Sequence, residues 1–591
     1  MILVPASLNK QFLPILEDRA TDVGALRQVF VENLTTRAEE ESDSLKKALQ
    51  HPELFRKWVR GLSPRESFRI SPEGVPFLGG LPDSTEDIMS FLVDGGFEPM
   101  QLKFLQDLVF QTQKRRGDAM KDELHIKIPK STYAYMLVDF QGILQPNEVH
   151  LCFSSKFDDG TNELSDLDGI DVLVGRCPAH LPSDIQKVRA TFKPELRHIR
   201  DVIVFSSKGD VPLAAKLSGG DYDGDKAWVT WLPELVSNFQ NADVPPKPDF
   251  SPYIEKDKDT LGDLRRLCGE EHYVDAMMAK AIRFSLRPKF LGPCTSFKDK
   301  LSYQLNSLSD ERIVKLSWLL SELADQPKQG ILFGRDEWRR FRDDVVGTRR
   351  HLSTPLYKGS NASRSVGPGA KHIIDFLTYT AKSVIDAVLE DLHQFMRRSP
   401  ASTTDKDIVG YWNHFAKVYE QQKPEWFTAL HQNLRSDLEA CRGEWGRLVS
   451  PGVNGDYRAS AAHVFKAWSD IKPRIPTHAT GASDAACFLL QDGLVSPELS
   501  QWELLKASLA FKLYSRHGRF VWQTAGRQLQ AIKALSISPG GAGGVPVVVV
   551  PNMYAALKPD NTYIKRLMAS EEEGDGLCIS DDPVPVRRRI S

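Results

Sequence analysis

Apolar residues recur at helical spacing towards both ends of the chain and in short alternating runs between them. Over Gln11 to Arg19, Phe12, Ile15 and Leu16 share a helical face, although Pro14 sits within the run. From Glu98 to Arg116 the stripe is Leu102, Leu105 and Phe110. Between them, Ser63 to Asp83 reads as loop, with four prolines and the pair Gly79-Gly80. The texture changes between His125 and Trp231. Strands are predicted at His125 to Ile128, Tyr133 to Val138, Glu148 to Phe153, Ile170 to Val174, Val202 to Phe205 and Ala227 to Trp231. Short strands with irregular Gly- and Pro-rich connections predict a small β-barrel or sandwich. Beyond Pro245 the helical period returns. Lys371 to Arg397 aligns Ile373, Leu377, Val384, Val388, Leu392 and Phe395, and Trp426 to Trp445 aligns Leu430, Leu434, Leu438 and Cys441. The fold class predicted is therefore α+β, with a small β-barrel or sandwich flanked by mainly helical regions.

Composition narrows the class of protein. The 591 residues include 76 Lys+Arg and 78 Asp+Glu, a formal net charge of −2, with 41% apolar residues and a mean hydropathy of −0.33. This balance excludes a collagen-like, disulfide-dense or wholly disordered chain. No apolar run approaches the ~18 residues a membrane span needs, so no membrane partner is expected. The start, Met1-Ile-Leu-Val-Pro, lacks a basic segment followed by an apolar one. Seven dispersed cysteines without a C-x-x-C pair point to a reducing, intracellular compartment, nuclear or cytoplasmic. Near-neutral charge leaves room for local basic segments. Gln186 to Arg200 holds five cations against Glu195, and Arg349 to Lys371 holds five and no acid.

The candidate chemistry lies in Ser218-Gly219-Gly220-Asp221-Tyr222-Asp223-Gly224-Asp225. On an extended backbone the three aspartates would share one face, and Gly224 permits a bend that lets them converge. Two carboxylates ~4 Å apart repel by about 4 kcal/mol at an effective dielectric of about 20, so three demand a cation. Oxygen ligands without His or Cys favour Mg²⁺ or Mn²⁺, the ions of metal-assisted phosphoryl and nucleotidyl transfer. An EF-hand would need Gly at the sixth loop position, whereas Gly224 is fourth. A dehalogenase-type D-x-D would follow a buried strand, but Leu213 to Gly220 is polar and glycine-rich. An Asp-rich structural turn remains the rival. Asp166-Leu167-Asp168-Gly169 imitates the pattern without a fifth-position acid and reads as a loop.

Several segments together resemble the cellular RNA-dependent RNA polymerases of RNA silencing. Val202-Ile-Val-Phe-Ser-Ser-Lys208 leads into the Ser-Gly-Gly-introduced D-x-D-G-D loop. Gly175-Arg176-Cys-Pro-Ala-His-Leu-Pro-Ser183-Asp184-Ile is similar to an R-x-P segment ending in Pro-Gly-Asp-Ile, with Ser183 in place of Gly. Ile126 to Ser131 and Asp139-Phe-Gln-Gly142-Ile-Leu144 resemble a strand and a D-x-x-G-x-L turn, and Asp325-Gln-Pro-Lys328-Gln-Gly330 a D-x-x-K-x-G helix end. The resemblance implies a double-psi β-barrel with Asp221, Asp223 and Asp225 as catalytic magnesium ligands. It also implies RNA template and product and NTPs as partners, touched by Arg176, Lys208 and Lys328. Arg349, Arg350 and Lys358 in the acid-free loop are further candidates for RNA. The expected division is a helical connector over 1–124, the barrel over 125–235, a helical neck-like region over 236–400, a head-like region over 401–570 and a disordered tail over 571–591. Family cores pair two barrels, and the first is not recognisable before Ile126. The chain therefore reads as the C-terminal half of such an enzyme, with the missing barrel or other silencing proteins as possible partners. Two alternatives stand: a non-catalytic RNA-binding scaffold, and a relative of the DNA-dependent RNA polymerase large subunit. That second family places Asn-Ala before Asp-Phe, where this chain has Gly219-Gly220 and Tyr222.

Overall fold

A computed structural model describes residues 3–62, 76–124, 126–347, 352–359, 367–398, 401–449, 456–490 and 499–537. Arg349, Arg350, His125 and the tail 571–591 lie outside these residues. The chain divides into two compact units, Met1–Glu41 with Arg115–Leu389, and Ser42–Lys114 with Glu390–Ser591.

The first unit holds the barrel. Its strands are β1 (Ser131–Val138), β2 (Glu148–Asp158), β3 (Ile170–Arg176), β4 (Ile185–Ala190), β5 (Val202–Phe205) and β6 (Lys226–Thr230). The order is β5-β1-β6-β3-β4-β2, and β2 pairs back onto β5, which closes six strands into a ring. The β5–β1 and β4–β2 pairs are parallel and the other four are antiparallel. This closed mixed barrel agrees with the double-psi expectation. Closure leaves none of the six with an unpaired edge, a row of orphan N–H and C=O groups that would otherwise need covering.

Alternate residues fill the interior: Ala134 and Met136, Val149 and Leu151, Val172 and Val174, Ile203 and Phe205, Ala227 and Val229. The intervening residues of β3 and β6 face outward onto helix Phe12–Asp18. There Trp228 is fully buried, its ring stacked on Phe12 at 5.2 Å. Pro14 is tolerated because it stands in the first helical turn, where an N–H has no intrahelical acceptor.

Strand β4 was not expected from the sequence. Only Val188 and Ala190 add apolar side chains to the interior, Ile185 packs outward towards Phe12, and Gln186, Lys187 and Arg189 break the apolar signal. The basic stretch beginning at Gln186 is consequently mostly structural in its contacts. Lys187 Nζ donates to the carbonyls of Val236 and Phe239, Arg189 pairs with Asp171 at 2.9 Å, and Lys193 with Glu148 at 3.2 Å. Helices Leu291–Leu305 and Glu311–Ala324 pack around Cys294, Leu301, Leu316 and Leu320 in a separate core of the same unit.

The second unit is built on helices. Gln501–Tyr514 and Gly518–Ile537 lie at its centre, with Trp502, Phe511, Phe520 and Trp522 buried. Helix Glu425–Leu448 buries the expected stripe of Leu430, Leu434, Leu438 and Cys441. Among the described residues, no helix is long and apolar enough to cross a membrane.

Candidate metal centre

The parallel strands β1 and β5 end on one side of the barrel, and antiparallel β6 begins there. The D-x-D-G-D loop closes that end. It leaves helix Leu213–Lys216 and enters β6, where the Met136 N–H donates to the Asp225 carbonyl at 2.9 Å. The turn after β1 lies beside it: the Asp139 N–H donates to the carbonyl of Phe205, the last residue of β5, at 2.8 Å.

Two glycines make the loop's path possible. Gly224 adopts φ +126°, a conformation costly for a residue with a Cβ. At Gly220 the constraint is space: a Cβ would come 2.8 Å from Arg176 Cδ and 3.0 Å from the Ala214 carbonyl. An Ala here, as in the Asn-Ala of the large-subunit family, would bring that Cβ against Arg176 and the Ala214 carbonyl.

The three carboxylates converge. Asp221, Asp223 and Asp225 each offer an oxygen within 4.8 Å of the others, with Asp221 and Asp223 exposed and Asp225 half-buried. The Asp221 N–H donates to Asp225 Oδ2 at 3.1 Å, which holds the loop in a tight curl. A hydrogen bond shared with Asp223, then partial burial and the neighbouring negative charges, raises the pKa of Asp221. Asp223 is shifted the other way by that same hydrogen bond and by Lys328. The donor set is oxygen only, which fits Mg²⁺ or Mn²⁺ and fits a thiophilic metal poorly.

The expected basic residues divide. Arg176, at the end of β3, brings Nε to 2.7 Å from Asp225 Oδ2 and donates through Nη1 to the Ser218 carbonyl at 3.1 Å. Lys328, in the short helix Gln326–Gln329, stands 3.3 Å from Asp223 Oδ2 and is largely exposed. Lys208 is exposed beyond β5 and makes no ion pair among the described residues. Lys358 is not drawn into the group; it pairs with Asp299 at 2.6 Å. Two residues that had no role assigned from sequence prove to organise the surroundings. Asp139 accepts the N–H groups of Gln141, Gly142 and Leu144, and Asp184 accepts those of His180, Leu181 and Ser218. Both lie in the segments that carried the resemblance, the one available signal for them.

A family model described as RNA dependent RNA polymerase matches residues 3–386. The chain belongs to this polymerase family. The solved RNA dependent RNA polymerase QDE-1 from Thielavia terrestris is similar over 97% of this chain and 61% of its own, at 42% identity and a TM-score of 0.84. Among curated relatives, the probable RNA-dependent RNA polymerase SHL2 of Oryza sativa subsp. japonica is 25% identical over 255 residues, 41% of this chain and 20% of its own length. RNA-dependent RNA polymerase 6 of Arabidopsis thaliana is 22% identical over 338 residues, 54% of this chain and 25% of its own. The chain thus spans a fifth to a quarter of these curated polymerases. The cellular, silencing-type resemblance drawn from the motifs is borne out, and the polymerase aspartates fall on a loop that brings them together.

Proposed function

We propose that this chain carries the metal-binding part of a nucleotidyl-transfer centre for RNA-templated RNA synthesis, the double-stranded RNA synthesis of silencing. The observation that carries it is the convergence of Asp221, Asp223 and Asp225 on a braced loop at one end of the barrel. In the reaction, the 3′-hydroxyl of a growing strand attacks the α-phosphate of an incoming NTP and pyrophosphate leaves. Bound Mg²⁺ or Mn²⁺ would lower the pKa of the attacking hydroxyl and neutralise charge on the leaving group. The three aspartates would hold those ions. Arg176 keeps Asp225 aimed, and Lys328 stands free enough to turn from Asp223 towards phosphate oxygens once a cation takes its place. Lys208, exposed at the same end, is suited to the RNA or NTP backbone. Most of the catalysis would be positioning and charge stabilisation.

The test combines metal binding with synthesis. Mn²⁺ should bind the purified chain with an affinity that Asp223→Ala lowers steeply. Templated NTP incorporation, measured with the chain alone and with polypeptide matching the rest of a relative, should vanish in the same variant. Incorporation that survives Asp223→Ala would overturn the assignment. Metal binding without incorporation in either setting would favour the scaffold reading.

A further inference from the structure

Asp184 lies outside the metal loop, in the turn Pro182–Asp184 that precedes β4, and is only 1% exposed. Both of its oxygens are engaged by backbone donors. Oδ2 accepts from His180 at 2.6 Å and Leu181 at 2.8 Å, which ties its own turn. Oδ1 accepts from Ser218 at 3.1 Å. Ser218 is the residue at which the chain turns into Gly219-Gly220-Asp221, and it does so at φ +55°, a region that residues with side chains seldom occupy. A conformation of that kind persists when its surroundings hold it. Here the same residue is gripped on both sides: its N–H by Asp184, its carbonyl by Arg176, whose Nε meets Asp225.

Burial raises the Asp184 pKa to about 6, and the three N–H donors and a neighbouring lysine oppose that rise. Lys298 of helix Leu291–Leu305 is 6% exposed and makes no ion pair within 4 Å among the described residues, and its positive field acts on Asp184. A buried carboxyl group whose two oxygens are held by three N–H donors is a rigid fixed point. The exposed aspartates have no such anchor of their own.

We propose that Asp184 is a positioning residue: through the Ser218 N–H it sets where the metal loop begins and hence whether the three carboxylates converge. The proposal rests on the metal-site reading above, but its test separates the two. Asp184→Asn is nearly isosteric and replaces one oxygen by an NH₂ donor. The remaining oxygen can serve the two donors of the local turn, which leaves the NH₂ against the Ser218 N–H.

In the full chain, Asp184→Asn should weaken Mn²⁺ binding, read by electron paramagnetic resonance, by about tenfold, the worth of one hydrogen bond to a charged group. Amide hydrogen exchange over Lys216–Lys226 should quicken by a similar factor, while Val202–Phe205 in β5 exchanges as before. Affinity and loop exchange both within about twofold of the wild type would overturn the proposal, because a hydrogen bond to a charged group should be worth more than that. If the wild-type chain binds no Mn²⁺, the metal reading fails and the exchange comparison alone decides the role of Asp184. If the variant does not fold, the wild-type Ser218 amide decides: strong protection supports the anchor, and exchange at the free-chain rate removes it.

Discussion

At Gly220 one added methyl would have nowhere to go. Its nearest neighbours, Arg176 Cδ and the Ala214 carbonyl, are a clamped side chain and backbone, so relief requires Arg176 to release Asp225. Gly220→Ala should therefore destabilise the first unit by about 1–3 kcal/mol and weaken Mn²⁺ binding, checked by urea unfolding and metal titration. His180 gives a pH test. Burial, reinforced by Lys298, holds its imidazole pKa down to about 3, against 6.5 for a free histidine. Above pH 6.5 both folded and unfolded chains are neutral there. As pH falls below 6.5 the unfolded chain takes up a proton that the folded one refuses, so stability is lost progressively towards pH 3. His180→Gln should remove roughly 3 kcal/mol of that loss between pH 6.5 and 4. Urea midpoints that fall in parallel for variant and wild type would show that His180 is not the group responsible. At this scale the three aspartates were legible, because alternate positions share a face and Gly224 permits the bend that lets the carboxylates converge. The partners of Arg176, Lys328 and Lys358 were not, because an isolated cation in sequence carries no record of which acid it will meet.

Among the elements, the turn from β1 to β2 depends on one carboxylate. Asp139 is 1% exposed and accepts three backbone N–H groups at 2.7–3.1 Å. Asp139→Ala leaves those donors without their acceptor, and a loss of about 2–4 kcal/mol is expected in denaturant unfolding followed by barrel tryptophan fluorescence. A loss below ~0.5 kcal/mol, the size of an ordinary surface substitution, would mean that water replaces the carboxylate fully. Most barrel strands were visible as apolar alternation; β4 was not, since half of its residues are polar and only its neighbours β3 and β2 make it a strand. Helix Ile373–Arg398 shows a smaller difference. Its buried positions include Ile373, Ile374, Leu377, Ala381, Ile385, Leu392 and Met396, so the stripe passes through Ala381 and Ile385 where the sequence pointed to Val384 and Val388. Valine and isoleucine carry the same signal in a periodicity count, and only the packed neighbours choose between them.

For the molecule as a whole, a net charge of −2 does not foretell how RNA binds, since what matters is which cations are free. Lys187, Arg189, Lys193 and Lys358 are engaged with protein acceptors away from the metal loop, whereas Lys208 stands exposed without an ion pair and Lys328, also exposed, pairs with Asp223 of the loop itself. Replacing Lys208 and Lys328 together by Gln should lower the log–log salt slope of single-stranded RNA binding by about 1.4, at roughly 0.7 per phosphate contact. Lys358→Gln should leave it unchanged. The reverse pattern would move the RNA path away from the metal loop. The sequence by itself determined the α+β class, most of the barrel strands, the polymerase family and the three aspartates that converge, because each rests on short-range periodicity or on a motif only a few residues long. The tertiary structure alone decided that six strands close into a ring, that β4 completes it, and that Asp184 and Arg176 hold the N–H and the carbonyl of Ser218. Those contacts join residues tens of positions apart, and no local pattern encodes which buried donor a carboxylate will face.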